Sequence, residues 1–190
     1  MTKVAVVYHS GYGHTAAQAQ AVARGAGKVA DTEVTLLTSE EAQQQWEKLE
    51  AADAIIFGSP TYMGSASAQF KAFMDASSTV WYGRGWQDKV AAGFTTSASQ
   101  SGDKLNTLIQ LAVFAAQHGM IWVGQHLLPG NNSSTGSVND LNRLGGFLGA
   151  LAQANADQGP DVAPLQSDLL TAESLGERVA TITKKLHGKI

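Results

Sequence analysis

An uninterrupted apolar run, Val4-Ala5-Val6-Val7-Tyr8, leads almost directly into Ser10-Gly11-Tyr12-Gly13-His14-Thr15, and an alanine- and glutamine-rich stretch, residues 16–26, follows. A run without polar alternation reads as a strand buried on both faces, the kind found inside a parallel sheet. The stretch after it has the composition of a helix. A buried strand, a tight glycine-containing turn and a helix start also make an anion site. The first backbone N–H groups of a helix lack partners, and the helix dipole adds positive potential there. Ser10 and Thr15 add hydroxyls, and Gly11 and Gly13 permit close approach of a ligand to the backbone. A phosphate monoester is the expected guest. No Gly-Lys-Ser/Thr follows and the three-glycine dinucleotide spacing is missing, so neither of those nucleotide motifs applies.

The rest of the chain repeats the alternation. Strands are expected at residues 4–8, 34–37, 54–57, 90–95 and 120–123. Helices are expected at 15–28, 40–51, 66–79, 104–118 and 171–186. This pattern predicts an α/β fold, a doubly wound five-stranded parallel sheet with helices on both faces, its strands in the order 2-1-3-4-5. With 190 residues the chain suits one domain spanning 1–190. Residues 124–170 break the alternation as a long irregular insertion or lid. Its apolar segment, residues 144–151, has no strand or helix partner in the pattern. The insertion is therefore expected to form a subunit interface or pocket lid rather than part of the sheet, in a homodimer or homotetramer.

Composition narrows the function. The net charge is −3 with 15% charged residues, which offers no basic surface for nucleic acid. No apolar run approaches the roughly 20 residues of a membrane helix. The start of the chain reads as a strand rather than a leader, so a cytoplasmic location is expected. There is no cysteine, which removes disulfides, thiol nucleophiles and cysteine-held metals. His9, His126 and His187 have no partners at metal-ligand spacing, so no metal is assigned.

In an open parallel sheet, ligands sit beyond the carboxyl ends of the strands where the strand order reverses. Three loops meet there. The second is Ser59-Pro60-Thr61-Tyr62-Met63-Gly64-Ser65 and the third Thr96-Ser97-Ala98-Ser99-Gln100-Ser101-Gly102. Either alone reads as a capped turn. Three donor-rich loops at one edge point to a ligand site.

These segments carry a resemblance. The opening through Ser10-Gly11-Tyr12-Gly13-His14-Thr15, the strand and loop Ile55-Ile56-Phe57-Gly58-Ser59-Pro60-Thr61-Tyr62-Met63-Gly64, the helix Phe70-Lys71-Ala72-Phe73-Met74-Asp75 with the later Trp81, and His118-Gly119-Met120 occur in the right order over about 125 residues. Together they resemble the flavodoxin-like fold, and within it the WrbA-type NAD(P)H:quinone oxidoreductases and their FMN-reductase relatives. The resemblance implies FMN as cofactor and NAD(P)H as electron donor. It implies that Ser10, Tyr12, Gly13, His14 and Thr15 hold the phosphate. Pro60, Thr61, Tyr62, Met63 and Gly64 would run along the isoalloxazine edge, and Thr96, Ser97, Ala98, Ser99 and Gly102 would complete the site. Trp81 would wall the flavin, although Trp81, Tyr82 and Trp86 also suit an oligomer contact or the core. His118 becomes a candidate flavin-edge and substrate-pocket residue, where its position alone reads as a helix C-terminal cap. Two departures stand out. The loop after residue 95 carries one glycine where the family has several in a row, and the chain goes its own way after Gly124.

The implied activity is electron transfer from NAD(P)H to quinones or similar small two-electron acceptors. The alternatives are a flavodoxin-type electron carrier and a regulatory FMN-binding protein without turnover. Carriers tend to be strongly acidic, and a net charge of −3 is mild for that role.

Overall fold

The computed structural model describes residues 1–188; Lys189 and Ile190, the end of the expected domain, lie outside the described residues. Four parallel strands form the body of the sheet: β1 (Thr2–Tyr8), β2 (Thr32–Thr38), β3 (Ala54–Tyr62) and β5 (Val90–Ser97). Two short strands, β6 (Ile121–Trp122) and β7 (Ala150–Gln153), share the next place, and β4 (Ser65–Ala66) folds back antiparallel on the end of β3. The order is β2-β1-β3-β5-β6, with β7 also on β5. Taken in chain order this is the expected 2-1-3-4-5 arrangement.

The fifth position differs from expectation. Ile121 and Trp122 pair with Val90 and Ala91, then the chain leaves the sheet. It returns at Ala150–Gln153 to pair with Phe94–Ser97. The insertion therefore interrupts a strand, and part of it belongs to the central sheet. This corrects the reading of residues 124–170 as lying wholly outside the sheet. The apolar 144–151 segment finds its partner here: Ala150 is fully buried, and Trp122 Nε1 donates to the Leu148 carbonyl at 2.9 Å.

The two faces have different chemistry. Alternate residues of β1 and β3 point to opposite sides. Val7, Ile55 and Phe57 face an aromatic core with Phe70, Phe73, Trp86 and Phe114, which belong to α4 (Ala68–Ala76), α6 (Lys104–Gln117) and the loop before β5. Val4, Val6 and Ile56 face an aliphatic core with Ala19, Val22, Leu175 and Val179 of α1 (His14–Gly27) and α7 (Gln166–Leu186). There Gly25 lies against the Glu173 carbonyl and Gly176 against the Val22 carbonyl, leaving no room for a Cβ at either position. Small residues thus let α1 and α7 approach closely.

Two expected helices are broken. The 40–51 segment splits into α2 (Ser39–Ala42), closed by a Thr38–Glu41 capping box, and α3 (Trp46–Glu50). Gln45 leaves the helical region, and Trp46 stacks on Phe73 at 5.5 Å between ring centres. The 66–79 segment starts later, at α4 after the Ser67 cap, and α5 (Ser78–Tyr82) follows Ser77 as a separate turn. Among the described residues no helix is long and apolar enough to cross a membrane.

Candidate functional site

The first loop is built around Ser10. Its Oγ accepts from the N–H groups of Gly13 and Ala16, each at 3.1 Å. A hydroxyl has two acceptor positions and one proton, so Ser10 keeps its O–H to donate outward. Gly13 caps α1 with φ 90°, and Pro160 occupies the place a side chain would take. Glycine is required there on both counts. The N–H groups of Tyr12, His14 and Thr15 have no acceptor among the described residues. Thr15 is 2% exposed, and its hydroxyl likewise makes no hydrogen bond there. Three free N–H groups and two hydroxyl protons thus collect at the positive end of a 14-residue helix.

The second loop is a hairpin. Tyr62 pairs with Ser65, and Met63 and Gly64 between them have φ 49° and 76°. Two consecutive positive φ values make a type I′ turn, which suits glycine and strains methionine. Met63 stands fully exposed at the tip. Tyr62 turns back over the first loop, its hydroxyl against the Gly11 backbone where a Cβ would sit. Its ring meets Tyr12 edge-on at 6.4 Å between centres. Partial burial foremost raises the Tyr62 pKa, so the phenol stays protonated.

Two expected hydroxyl donors face inward. Thr95 donates to the Ser59 carbonyl at 2.6 Å, so Thr61 donates to Thr95 and accepts from Thr107, both at 2.8 Å. Thr96 donates to Gln18 Oε1 at 2.7 Å. Strand alternation turns these side chains into the core, leaving the backbone of their loops to face a ligand.

Together these loops enclose a cleft of about 660 Å³. Ser10, Tyr12, His14 and Thr15 line it from β1–α1, Pro60, Thr61 and Tyr62 from β3, and Thr96, Ser97 and Ala98 from β5. Gly13 lies within the first loop. Ser99 and Gly102 lie in the β5–α6 loop behind the wall, where the Ser99 carbonyl accepts from Ser97 Oγ at 3.0 Å.

Within this one chain, Trp81 and His118 are not among the residues that line the cleft. The cleft is at the carboxyl ends of β1, β3 and β5. α6 runs back from that edge, so its end at His118 lies by the start of β5, near the Val90–Ile121 pairing. His118 is 3% exposed, its Nε2 lies 2.9 Å from Ser77 Oγ, and its ring packs on Trp86 at 4.3 Å. Burial lowers its pKa to about 4. Trp81 is half-exposed on α5, and its N–H donates at 2.9 Å to the carbonyl of Ser77, the residue whose hydroxyl meets His118. Trp86 is fully buried in the aromatic core, and Tyr82 is exposed.

Two contributors escaped the sequence reading. The loop after β7 supplies Ala154, Ala156, Asp157 and Gln158 to the cleft, and the Gln158 carbonyl lies 2.7 Å from His14 Nε2. Its composition marks it as a loop, and nothing local marks its proximity to residues 10–15. Lys104, 1% exposed, holds the β5–α6 loop from beneath. A lysine at the start of a helix, against the dipole, was the available signal.

The site fits the phosphate end of FMN. Neutral donors and a helix dipole take a dianion without a cationic side chain, and the unpartnered Thr15 hydroxyl and loop N–H groups have the required direction and chemistry. The cleft volume lies within the roughly 300–1,000 Å³ of ligand pockets.

Comparison with known proteins agrees. The family model described as NADPH-dependent FMN reductase matches residues 9–133. The chain is 46% identical to the Pseudomonas aeruginosa protein named Flavodoxin FldP, over 98% of this chain and 100% of that protein. It is 31% identical to an NAD(P)H dehydrogenase (quinone) of Syntrophus aciditrophicus, over 97% of this chain and 98% of that one. The crystal structure of a flavodoxin, WrbA-like protein from Agrobacterium tumefaciens superposes with a TM-score of 0.74 at 41% identity, covering 97% and 99% of the two chains. The chain therefore belongs to the NADPH-dependent FMN reductase family, as a flavodoxin-like, WrbA-type, FMN-binding oxidoreductase.

Proposed function

We propose that this protein passes electrons from NAD(P)H through FMN to a quinone or a similar small two-electron acceptor. The observation that carries this reading is the rim of the cleft. Tyr12 and Tyr62 are exposed there beside a polar, donor-rich floor. Exposed aromatic surface at a cleft mouth is costly unless something planar and apolar covers it. FMN held here would supply the chemistry, hydride acceptance from nicotinamide and two-electron reduction of the acceptor.

The chain's own residues bind and orient. Ser10, Thr15 and the N–H groups of Tyr12, His14 and Thr15 hold the phosphate. The 60–64 hairpin and the 96–102 loop flank the ring system. Tyr12 and Tyr62 limit water at the mouth, and Pro160 and Gln158 brace the phosphate loop from the far side. No side chain is asked to act as acid or base.

A flavodoxin-type carrier is the second reading, favoured by the high identity to a relative named as a flavodoxin. Steady-state oxidation of NADH and NADPH with benzoquinone separates the two. The oxidoreductase reading expects saturable turnover. A yellow protein that NAD(P)H does not reduce, but that dithionite reduces and a redox partner reoxidises, would replace it with the carrier.

A further inference from the structure

The β5–α6 loop has one glycine, yet it is held firmly. Lys104 Nζ donates to Ser97 Oγ at 2.7 Å and to the carbonyls of Ser99 and Gln100, each at 2.8 Å. All three of its protons are used. Gly102, at φ 52°, sits against Ser97 Oγ, where a Cβ would not fit. The placement of the lysine is electrostatically unfavourable in two ways. It is the first residue of α6, where the dipole opposes a cation, and it is 1% exposed. Burial brings its pKa down to about 8, with Asp168 acting to raise it and Arg143 to lower it.

The geometry has a directional consequence. In a trans peptide the N–H points opposite to the carbonyl. With the Ser99 and Gln100 carbonyls turned in to the ammonium, the N–H groups of Gln100 and Ser101 turn away from it, on the exposed part of the loop next to the cleft-lining Ala98. Neither has an acceptor among the described residues. Ser97 and Ala98, on the same loop, line the cleft.

We propose that Lys104 is a positioning residue for the flavin: its clamp on Ser97, Ser99 and Gln100 fixes the segment that lines the cleft and sets a cation directly behind Ser97, which favours the reduced, more negative form of the cofactor. The inference rests on the cleft being the FMN site. Preorganised donors and a buried cation near developing negative charge stabilise it without reorganisation. Lys104 thereby does for this loop what a run of glycines does by backbone freedom.

The test uses the FMN-loaded full chain, the wild type and Lys104→Met, with FMN dissociation constants and the midpoint potential as readouts. Wild-type protein that takes up no FMN overturns the site itself and is recognised before any variant is made. Given uptake, Lys104→Met is expected to bind oxidised FMN within a few-fold of wild type and reduced FMN at least tenfold more weakly. For a two-electron couple, that tenfold change is a fall of about 30 mV. Lys104→Gln, which keeps donor hydrogens without the charge, is expected to shift the potential the same way and carries the test if Lys104→Met does not fold. An unchanged potential in a folded, FMN-binding variant overturns the proposal. Failure of both variants to fold assigns Lys104 to the fold alone and overturns it equally.

Discussion

Replacing Thr15 with valine separates ligand binding from folding at a single atom. Thr15 is 2% exposed at the second position of α1, and its hydroxyl has no partner among the described residues. Valine has nearly the same shape and removes only the hydroxyl. In the free protein the hydroxyl faces the cleft and has no protein hydrogen bond to lose, so thermal stability is expected to hold. In the complex it deletes a donor to a charged acceptor, worth about 1.5–3 kcal/mol, or on the order of 10- to 150-fold in Kd. Apoprotein is titrated with FMN and with riboflavin, which lacks the phosphate. FMN affinity should fall by that factor while riboflavin affinity stays within about twofold. Equal losses for both ligands would show that the hydroxyl does not meet the phosphate. A large drop in apoprotein Tm would show that it has a structural partner after all.

Three further outcomes are expected. Gly13→Ala forces a side chain onto Pro160 at φ 90°; it should weaken FMN more than tenfold, by the same titration, and lower the Tm. His118 stays neutral in the fold down to pH about 4, whereas the unfolded chain takes up a proton below about 6.5. Its contribution is therefore complete above pH 6.5 and is lost as pH falls, by about 3 kcal/mol at pH 4; urea melts of His118→Gln should show a shallower loss over that window. Arg143 and Asp168 form a buried bidentate pair at 2.7 and 2.8 Å. Arg143→Met alone should cost about 3–5 kcal/mol, and adding Asp168→Leu should recover much of it, as read by a double-mutant cycle in denaturant.

Much of the fold was legible in one dimension because its signals are local. The unbroken apolar run of β1 marks a two-sided buried strand, and the strand–loop–helix unit after it marks the anion end of α1. Short-range turn chemistry likewise placed donors in the loops after β3 and β5. The interrupted fifth strand was not legible, because Ala150–Gln153 has no strand pattern of its own and becomes a strand only by pairing with the carboxyl end of β5. The second helix breaks where Trp46 reaches the aromatic stack, and the third starts late because Ser65–Ala66 pairs back on β3.

By itself the sequence determined the parallel α/β class and the three loops, since each depends on residues close along the chain, and the strand order followed from them by the winding rule of such sheets. Only the tertiary structure decided which side chains those loops offer. Thr61 and Thr96 turn their hydroxyls into the core because strand alternation and partners from α1 and α6 claim them. His118 lies by the opposite edge because a helix returning from the sheet's carboxyl end carries its last residues away from it. The 154–160 loop and Lys104 reach the cleft or its wall through contacts that are distant in the chain or hidden beneath a turn. Such contacts are set by packing in three dimensions and leave no period or motif to read.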